Sequence, residues 1–538
     1  MRSAEGDSLL GVPPEMPIQP RLSIARAATL TSFGNLSSRI VGLGREMVKS
    51  FYFGNGQAAS AFELAANIPT QFYDLLVGGM LSSALVPTFS AMADPRRDGL
   101  RAFGELLGAL IGLAFALLSA LIALLWLAAL PIARVIIGGP NQDAEMVAAL
   151  LRITIPAILF LNLSGILTSA LHARGKFGFT AFTATTYNLV MIVCVVLLEP
   201  ALGAQALAIG LLSGSIAQVL IQLPGLRGVP LRLSLNWRLP GVAQVIRLFL
   251  PVAGGLALAQ IAVQVSFILA SRISAEGPAT MRYAAQVIQF PLGMVVTAVA
   301  AAILPALSAV HGEDFKRTLA QGLRLVCVLM VPASVGLYVL ASPVVALLFE
   351  RGAFTAESTA YTASALRAAI PGLLFAAIDI PLIYAFYAQR DTRTPTLVGI
   401  FSTLFYFALV GGQLLLEAYA SRPFTLEDLI LANSLKTGCD AALMGILLRR
   451  RIQGLSGYGI GSLLVKVVGA SLVMAGVAWL VMTETVQRFA VATFVNHLAA
   501  VVLPAGLGAA TYLAIARSLG IAEVLQLQRV VAQRLFSR

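Results

Sequence analysis

Two polar faces close to the amino terminus hold the charged residues that are best placed to bind a ligand. In the first helical segment, polar and charged residues recur at steps of three and four, and this spacing puts them on one face of a helix. These residues are Asn35, Ser38, Gly42, Arg45 and Lys49, with Arg39 and Glu46 beside them. The second segment repeats the spacing with Glu63, Asn67, Gln71, Asp74, Gly78 and Ser82. Arginine binds phosphate groups through two parallel hydrogen bonds, so the surplus of cations in the first segment favours an anionic ligand.

A less charged version of these faces follows in the second half of the chain. Its members are Gln260 and Gln264 in one segment and Arg282, Gln286, Gln289, Gly293 and Thr297 in the next. The candidate binding residues are Arg39, Arg45, Lys49, Glu46, Asn67, Gln71, Asp74, Gln286 and Gln289. The competing interpretation is that such charges only join helices, through pairs such as Arg45 with Asp74 and Lys436 with Asp379. Gly42 and Gly44 also predict a break in the first helix, lined by protein or water.

Catalytic and metal chemistry find no support in the residue pattern. Cys194, Cys327 and Cys439 lie far apart in the sequence, and none of the three histidines has a cysteine or carboxylate at ligand spacing. The sequence contains no phosphate-binding loop and no nucleophile motif. A membrane-embedded transferase would need a paired carboxylate or histidine site, which the pattern does not offer. We therefore expect no catalytic residue, no metal and no cofactor.

The elements that carry the polar faces are predicted to be transmembrane helices. Of the 538 residues, 58% are hydrophobic and 12% are charged, and the mean hydropathy is +0.86. Apolar runs long enough to cross a bilayer, such as residues 110–129, recur along the chain. They predict about fourteen helices, beginning near residues 24, 61, 102, 144, 178, 203, 241, 278, 317, 357, 395, 427, 461 and 493. The net charge of +12 is scattered over short loops, which argues against a nucleic-acid partner.

Alternate loops differ in their basic content. The richer loops contain Arg96, Arg97 and Arg101; Arg174 and Lys176; Arg227, Arg232 and Arg238; Lys316 and Arg317; Arg390 and Arg393; and Arg449, Arg450 and Arg451. The loops between them hold mainly single arginines. By the positive-inside rule, the richer loops and both termini are cytoplasmic. This pattern predicts a multi-pass protein of the bacterial cytoplasmic membrane.

An internal repeat divides the chain into two related halves. SALVPTFSA at residues 83–91 is similar to AAILPALSA at 301–309, and LRITIPAILF at 151–160 is similar to LRAAIPGLLF at 366–375. The two pairs have nearly the same separation, and an even number of helices lies between the copies. The halves therefore share one orientation in the membrane, as in two-lobed transporters. The predicted fold is an all-α polytopic membrane protein with about fourteen helices in two parallel-repeat lobes, followed by an extra helix pair.

Several motifs along the chain resemble those of a known family. They are SRIVGLGRE at 38–46, LVPTFS at 85–90, FPLG at 290–293, LLFERGAFT at 347–355 and RDTRTP at 390–395. In this order they resemble the MurJ/MviN family of lipid II flippases. The resemblance runs from about residue 24 to 517. It implies a fourteen-helix fold that moves an undecaprenyl-diphosphate-linked peptidoglycan precursor by alternating access.

The resemblance also implies an organisation along the chain. The predicted units are a cytoplasmic tail at 1–23, an N-lobe at 24–224, an inter-lobe loop at 225–240, a C-lobe at 241–450, a helix pair lining a lipid groove at 451–517 and a cytoplasmic segment at 518–538. The expected partners are lipid II and the bilayer, with cell-wall synthesis proteins as further candidates. Arg39 and Arg45 match two arginines that the family places in its central cavity.

Other positions depart from the family pattern. The double arginine after the proline of the second helix is Tyr73-Asp74 here, and an Asp-Arg pair of the eighth helix is Ala285-Gln286. The alternative function is therefore export of another polyprenyl-linked oligosaccharide or of drugs. The residues alone leave the exact headgroup, the coupling ion and the oligomeric state open.

Overall fold

Helices make up every regular element in the part of the chain that the computed structural model describes, residues 21–76, 80–92, 99–138, 143–293, 297–455, 457–488 and 493–526. The helices are α1 (Arg21–Phe53), α2 (Gln57–Leu76), α3 (Met80–Met92), α4 (Gly99–Leu127), α5 (Ala129–Ile136), α6 (Ala144–Thr154), α7 (Ala157–Ala173), α8 (Phe177–Ala181), α9 (Thr183–Leu202), α10 (Gln205–Gln222), α11 (Pro240–Ile273), α12 (Gly277–Pro291), α13 (Thr297–Ser308), α14 (Gly312–Val339), α15 (Ala341–Phe349), α16 (Ala356–Ala388), α17 (Arg393–Ala420), α18 (Leu426–Arg451), α19 (Ile460–Arg488) and α20 (Phe494–Ser518). A 3-10 turn, Leu223–Leu226, follows α10. The absence of strands from the described ranges agrees with the predicted fold class.

Ten helical spans of the described residues are long and apolar enough to cross a membrane. They are α4, α6 with α7, α8 with α9, α10 with the 3-10 turn, Leu256–Ile273 of α11, α14, α16, α17, α19 and α20. A helix satisfies its own backbone hydrogen bonds, which is what a bilayer without water requires. The helices α1 and α18 are as long but more polar, because charged residues lie within them. The predicted number of about fourteen spans stays a prediction.

Each half of the chain supplies most of the residues of one apolar core. In the first half, Leu64 of α2, Leu151 of α6 and Leu207 of α10 belong to one fully buried cluster. In the second half, Phe349 of α15 and Leu366 of α16 belong to another. Both halves also share an order of helices. In the first half, the long helix α4 is followed by the short helix α5 and by α6 and α7, which together form one interrupted helix. In the second half, the long helix α14 is followed by the short helix α15 and by the long, proline-containing helix α16. This order agrees with the internal repeat, while the residue boundaries of the lobes stay a prediction.

The segment between the halves lies along α4. Three glycines spaced four residues apart, Gly104, Gly108 and Gly112, face the backbone oxygens of Pro230, Arg232 and Ser234, which stand where a Cβ atom would be. The amide of Ser234 also donates a hydrogen bond of 3.3 Å to the Gly108 oxygen. Only glycine permits so close a backbone approach. The inter-lobe loop is therefore fixed to the first half.

The last two helices pack on the second half. Met474 of α19 and Tyr512 of α20 are buried in a cluster with Val328 of α14. The Tyr512 hydroxyl donates to the Val328 oxygen at 2.8 Å. Outside this cluster, Arg324 of α14 forms a 2.5 Å ion pair with Glu523. The pair of helices that the repeat does not include is thus attached to α14.

Candidate functional site

The first helix places its charged face against α9. The helix α1 is continuous from Arg21 to Phe53, so the predicted break at its glycines is wrong. A Cβ atom at Gly42 would lie 3.3 Å from the Asn188 amide nitrogen of α9. The glycine therefore serves close helix packing rather than an interruption. Of the second polar face, Gly78 lies outside the described residues.

A buried ion cluster forms where α1, α2 and α12 meet. Glu46 forms ion pairs with Arg45 and with Lys49, each at 2.5 Å. Lys49 also pairs with Glu63 of α2, and its ammonium lies 4.5 Å from the ring centre of Tyr283 in α12. Glu46 and Lys49 are each 1% exposed and Glu63 is 6% exposed. One candidate residue of α1, Lys49, is thereby held by Glu63, a carboxylate that the candidate set did not include.

The second half adds a third cation to this cluster. The Arg282 Nε of α12 lies 3.7 Å from the Glu63 carboxylate, and the Arg282 side chain is 38% exposed. That Nε is itself buried and makes no hydrogen bond in the described structure. Three cations therefore face two carboxylates. We name this group, Arg45, Glu46, Lys49, Glu63 and Arg282, the ion cluster.

The two arginines of α1 differ in their surroundings. Arg45 donates to the Asn188 amide oxygen at 3.0 Å and lies 5.9 Å from the ring centre of Tyr187. Arg39 instead donates to the backbone oxygen of Gln289 in α12 at 3.0 Å, and its guanidinium fills the space where Gly293 has no side chain. Arg45 is therefore built into the wall of α9, whereas Arg39 bridges the two halves.

The amide residues form a second contact between the halves. Asn67 and Gln71 of α2 each donate to the side-chain oxygen of Gln264 in α11 at 3.1 Å. Asp74 is exposed and makes no ion pair among the described residues. The interhelical pair of Arg45 with Asp74 is consequently not formed in this structure.

One end of the site is closed by the turn between α1 and α2. Asn55 donates to the Thr280 hydroxyl at 3.2 Å and accepts from the Ser358 hydroxyl at 2.7 Å. The Tyr283 hydroxyl donates to the Gly54 oxygen at 2.8 Å. Gly54 has a φ of +58°, and a Cβ atom there would collide with the chain of the second half. We name these contacts the turn latch, because they join the halves beside the ion cluster.

An apolar cavity of about 630 Å³ lies between α12, α14, α19 and α20. Its lining includes Leu43, Phe290, Val328, Pro332, Met474 and Pro504. Gln286 is one of the few polar residues in this lining and follows Arg282 by one helical turn on α12. Gln289 has an exposed side chain further along the same helix. The cavity and the ion cluster therefore share α12 as a common wall.

The comparisons with known proteins agree with this architecture. The family model "Lipid II flippase MurJ" matches residues 49–500. A Vibrio cholerae serotype O1 protein named "Probable lipid II flippase MurJ" is 31% identical over 94% of this chain and 98% of its own length. The chain belongs to the lipid II flippase MurJ family. With ten apolar spans among the residues that the structure describes, it is a multi-pass inner-membrane protein of a family of transporters rather than catalysts.

Solved structures show the same fold. A structure titled "Lipid II flippase MurJ, inward closed conformation" has a TM-score of 0.76, covers 91% of this chain and 99% of its own, and is 23% identical. An inward-facing multidrug transporter of the MATE family has a TM-score of 0.58 at 16% identity, covering 80% of this chain and 98% of its own. Because the sequence identity to both structures is low, these two similarities establish the fold of this chain alone. The MurJ structure and the drug transporter thus share the overall helix arrangement with this chain.

Two MurJ-like motifs have structural roles here. In RDTRTP, Asp391 accepts from the amides of Arg393 and Thr394 at 3.1 and 3.0 Å, and pairs with Arg451 at 2.5 Å. This carboxylate holds the start of α17 against the end of α18. In LLFERGAFT, the amide of Ala353 donates to the Phe51 oxygen at 2.8 Å. The second motif therefore extends the turn latch.

The sequence pattern missed how the cluster is assembled. Glu63 and Arg282 lie in the polar faces, but linear spacing does not reveal that they oppose each other across the halves. Asn188 and Tyr187 lie in an apolar segment without polar periodicity, so no sequence signal marked them. The resemblance implies arginines at the positions of Tyr73-Asp74 and Ala285-Gln286. This chain has no cation at those positions. Instead, Lys49 and Arg282 accompany Arg45 in the ion cluster.

Proposed function

We propose that this chain moves lipid II, the undecaprenyl-diphosphate-linked peptidoglycan precursor, from the cytoplasmic to the outer face of the membrane by alternating access. The observation that supports it best is the ion cluster, which places three cations and two carboxylates at the boundary of the two halves. Charged groups at membrane depth are costly, and they are retained where they serve a substrate path. A diphosphate supplies the negative charge that this cluster lacks.

In this proposal, Arg282 makes the first contact with the diphosphate. Its side chain is the most exposed of the three cations in the ion cluster, and its Nε has no hydrogen-bond acceptor. Arg45 and Lys49 are already paired with carboxylates. They set the field of the site, and Arg39 with Gln289 lies at its edge. A guanidinium fork suits phosphate oxygens better than an ammonium does.

The lipid chain is proposed to occupy the apolar cavity beside α19 and α20. Arg282 and Gln286 lie on one face of α12, and Gln286 lines that cavity. A ligand with a diphosphate next to a long hydrocarbon chain would therefore place its diphosphate at Arg282 and its hydrocarbon chain in the apolar cavity. This arrangement fits a polyprenyl diphosphate better than a compact water-soluble anion.

The turn latch provides the closed end that alternating access requires. Its hydrogen bonds join α1 and α2 of the first half to α12 and α16 of the second. Neutral hydrogen bonds each contribute only about 1 kcal/mol to stability, so a small set can open when the halves rock. We propose that the latched end faces outward and that both termini lie in the cytoplasm, with cell-wall synthesis proteins as candidate partners there.

A complementation experiment tests the proposal. The chain is expressed in bacteria whose own lipid II flippase is depleted, and growth is followed together with the amount of lipid II accessible at the outer face. We expect growth and surface lipid II to be restored. Failure to restore either, combined with binding of cationic amphiphiles rather than diphosphate lipids by the purified protein, would favour the drug-export alternative.

A further inference from the structure

A carboxyl group that does not belong to the ion cluster is buried in the second half of the chain. Asp379 of α16 is 6% exposed, and its Oδ1 is buried without a hydrogen-bond partner in the described structure. Its neighbours along the helix belong to apolar clusters: Ala377 is fully buried, and Ile378 packs against the cluster of Leu382. A carboxylate in such surroundings needs either a cation or a proton.

Among the described residues, Asp379 has no cation as an ion-pair partner. Lys436 of α18 was the partner expected from the sequence, but no ion pair within 4.0 Å among the described residues includes Lys436 or Asp379. Gly438 and Gly445 of α18 face Phe375 and Leu382 of α16, so Asp440 of α18, a second carboxylate, lies at the level of Asp379 between these two contacts. Lys436 acts on Asp440 instead, and Ser402 of α17 lies beside Asp440.

The remaining helices packed on α16 contribute no charge at this point. Tyr387 of α16 interacts with Asp379 from its own helix. Among the described residues, no charged side chain of α12, α13, α14, α15 or α17 acts on Asp379. The group therefore consists of two carboxylates and one lysine, with a net charge of minus one when all three are ionised.

We propose that Asp379 and Asp440 form a proton-binding site, in which the two carboxylates share one proton, and that this proton is the coupling ion for transport. Two neighbouring carboxylates that cannot both be ionised at low cost hold a proton between them. The proton bonds to a carboxylate oxygen of Asp379, and the like charge of Asp440 favours this protonated form. Nothing is oxidised or reduced, since one proton enters and the same proton leaves. The coupling part rests on the proposed function.

The site is connected to the substrate region through packing. Ile380, next to Asp379, belongs to the same apolar cluster as Ile288 and Leu292 at the end of α12. Arg282 of the ion cluster lies earlier on that helix. A change between a neutral and an ionised carboxyl alters how α16 packs on α12, because an ion in an apolar contact attracts water or a counter-charge. Proton binding can thus bias the position of α12.

Carbodiimide labelling tests the proton site without any transport measurement. Dicyclohexylcarbodiimide reacts with protonated carboxyl groups in apolar surroundings, and peptide mass spectrometry identifies the modified residue. The intact protein in lipid nanodiscs is labelled across a series of pH values. We expect Asp379 to be modified at low and neutral pH and to lose its label as the pH rises. Absence of the label from Asp379 at every pH would overturn the proposal.

Two substitutions and an internal control sharpen this experiment. Asp440→Asn removes the like charge, so the labelling midpoint should move to lower pH by about one unit, the order expected for one nearby charge. Lys436→Gln should move the midpoint to higher pH. Asp391 should stay unlabelled, because the hydrogen bond from the Thr394 amide and the contact with Arg451 lower the pKa of this loop carboxylate to about 2. A midpoint that is unchanged in Asp440→Asn would contradict a shared proton.

Proteoliposomes test the coupling. A fluorescent lipid II analogue is followed while valinomycin and potassium hold the membrane potential at zero and a pH gradient is imposed. The wild-type rate should change severalfold with the direction of the gradient, whereas Asp379→Asn, which mimics the protonated state, should not respond. Wild-type flipping that ignores the gradient would overturn proton coupling. Absence of any wild-type flipping would instead contradict the proposed function, and the labelling result would still decide the proton site.

Discussion

Lys49 is the residue on which the ion cluster depends, because it lies between Glu46 and Glu63 and is itself almost inaccessible. Removing one partner of a buried ion pair destabilises a protein more than replacing both partners by apolar residues, since the remaining charge stays buried without compensation. Arg282 differs because it is partly exposed and only loosely paired with Glu63. We therefore expect replacement of Lys49 to lower the stability of the protein and replacement of Arg282 to weaken ligand binding.

Replacement of Lys49 should destabilise the protein. In Lys49→Met, two buried carboxylates lose their shared cation, and we expect the free energy of unfolding to fall by about 3–5 kcal/mol. Adding Glu63→Gln should recover part of this loss. Thermal unfolding of the purified protein, followed by intrinsic fluorescence, measures both variants. Lys316→Met is the control, because its pair with the exposed Glu313 should contribute about 1 kcal/mol or less. Equal melting temperatures for Lys49→Met and the wild type would contradict this role.

Replacement of Arg282 should weaken ligand binding with little loss of stability. Loss of a charge-assisted hydrogen bond of about 1.5–3 kcal/mol corresponds to a reduction in affinity of about ten- to a hundredfold. Arg282→Lys keeps the charge but not the fork, so an intermediate affinity is expected. Binding of a fluorescent lipid II analogue in nanodiscs measures the effect. Arg272→Ala, which removes an exposed partner of Glu417, is the matched control. An unchanged affinity for Arg282→Ala would remove this residue from the site.

The turn between α1 and α2 is the element that closes one end of the boundary between the halves. It is held by side-chain and backbone hydrogen bonds to three separate parts of the second half. Glycine is required where the turn meets the chain around Ala353, since a side chain at Gly54 has no space. The inter-lobe loop differs from this turn, because it is bound to α4 within the first half.

Loss of the turn latch should expose the boundary between the halves. Asn55→Ala removes two hydrogen bonds, worth together about 2 kcal/mol, so the open population should rise about thirtyfold. A cysteine introduced at the fully buried Ser60, in a variant without native cysteines, reports the opening through its rate of maleimide labelling. Ser308→Ala is the control, because that hydroxyl bonds only the backbone of its own helix. Equal labelling rates in Asn55→Ala and the parent would argue against a latch.

Displacement of the inter-lobe loop should follow from a single added methyl group on α4. In Gly108→Ala, the new Cβ meets the Arg232 oxygen, and the backbone cannot yield without moving away from the helix. We expect trypsin to cleave the loop at Arg232 or Arg238 severalfold faster. Gly411→Ala on α17 is the control, since that position has open space and alanine favours a helix. Unchanged cleavage in Gly108→Ala would show that the loop is not held by this contact.

At the scale of the whole molecule, the halves meet in an ion cluster, an amide contact and the turn latch, while α19 and α20 add an apolar cavity on one side. Each half contributes charge to the meeting place. The proposed headgroup site therefore depends on the relative position of both halves, and rocking of one against the other would separate Arg282 from Glu63.

The orientation in the membrane can be tested by labelling from each side. Because the basic surplus lies in the loops that include Arg232 and Arg450, both loops and the termini should face the cytoplasm. A cysteine at Asn55 should react with an impermeant reagent only from outside, and one at Arg450 only after the cells are opened. The Asn55 position needs the denatured or open protein as a reference, because it is buried. Labelling of both positions from the same side would exclude this topology.

The sequence by itself determined that this protein is embedded in a membrane and that its fold is all-α. It also determined the internal repeat and the family. These properties depend on composition and on local spacing: apolar runs must be helical in a bilayer, and the motifs around Arg45, Phe354 and Asp391 stand in family order. The polar faces of the first two helices were also readable, because three- and four-residue steps fix which side chains share a helix face.

Only the tertiary structure decided which charges meet. Arg45 pairs with its neighbour Glu46 rather than with Asp74, Glu63 opposes Arg282 across the halves, and Lys436 forms no ion pair with Asp379. Helical periodicity gives the direction of a side chain around its own axis but not the rotation, depth or tilt of the helix opposite. Those are set by the packing of the whole bundle, including apolar helices such as α9, whose Asn188 had no signal in the sequence.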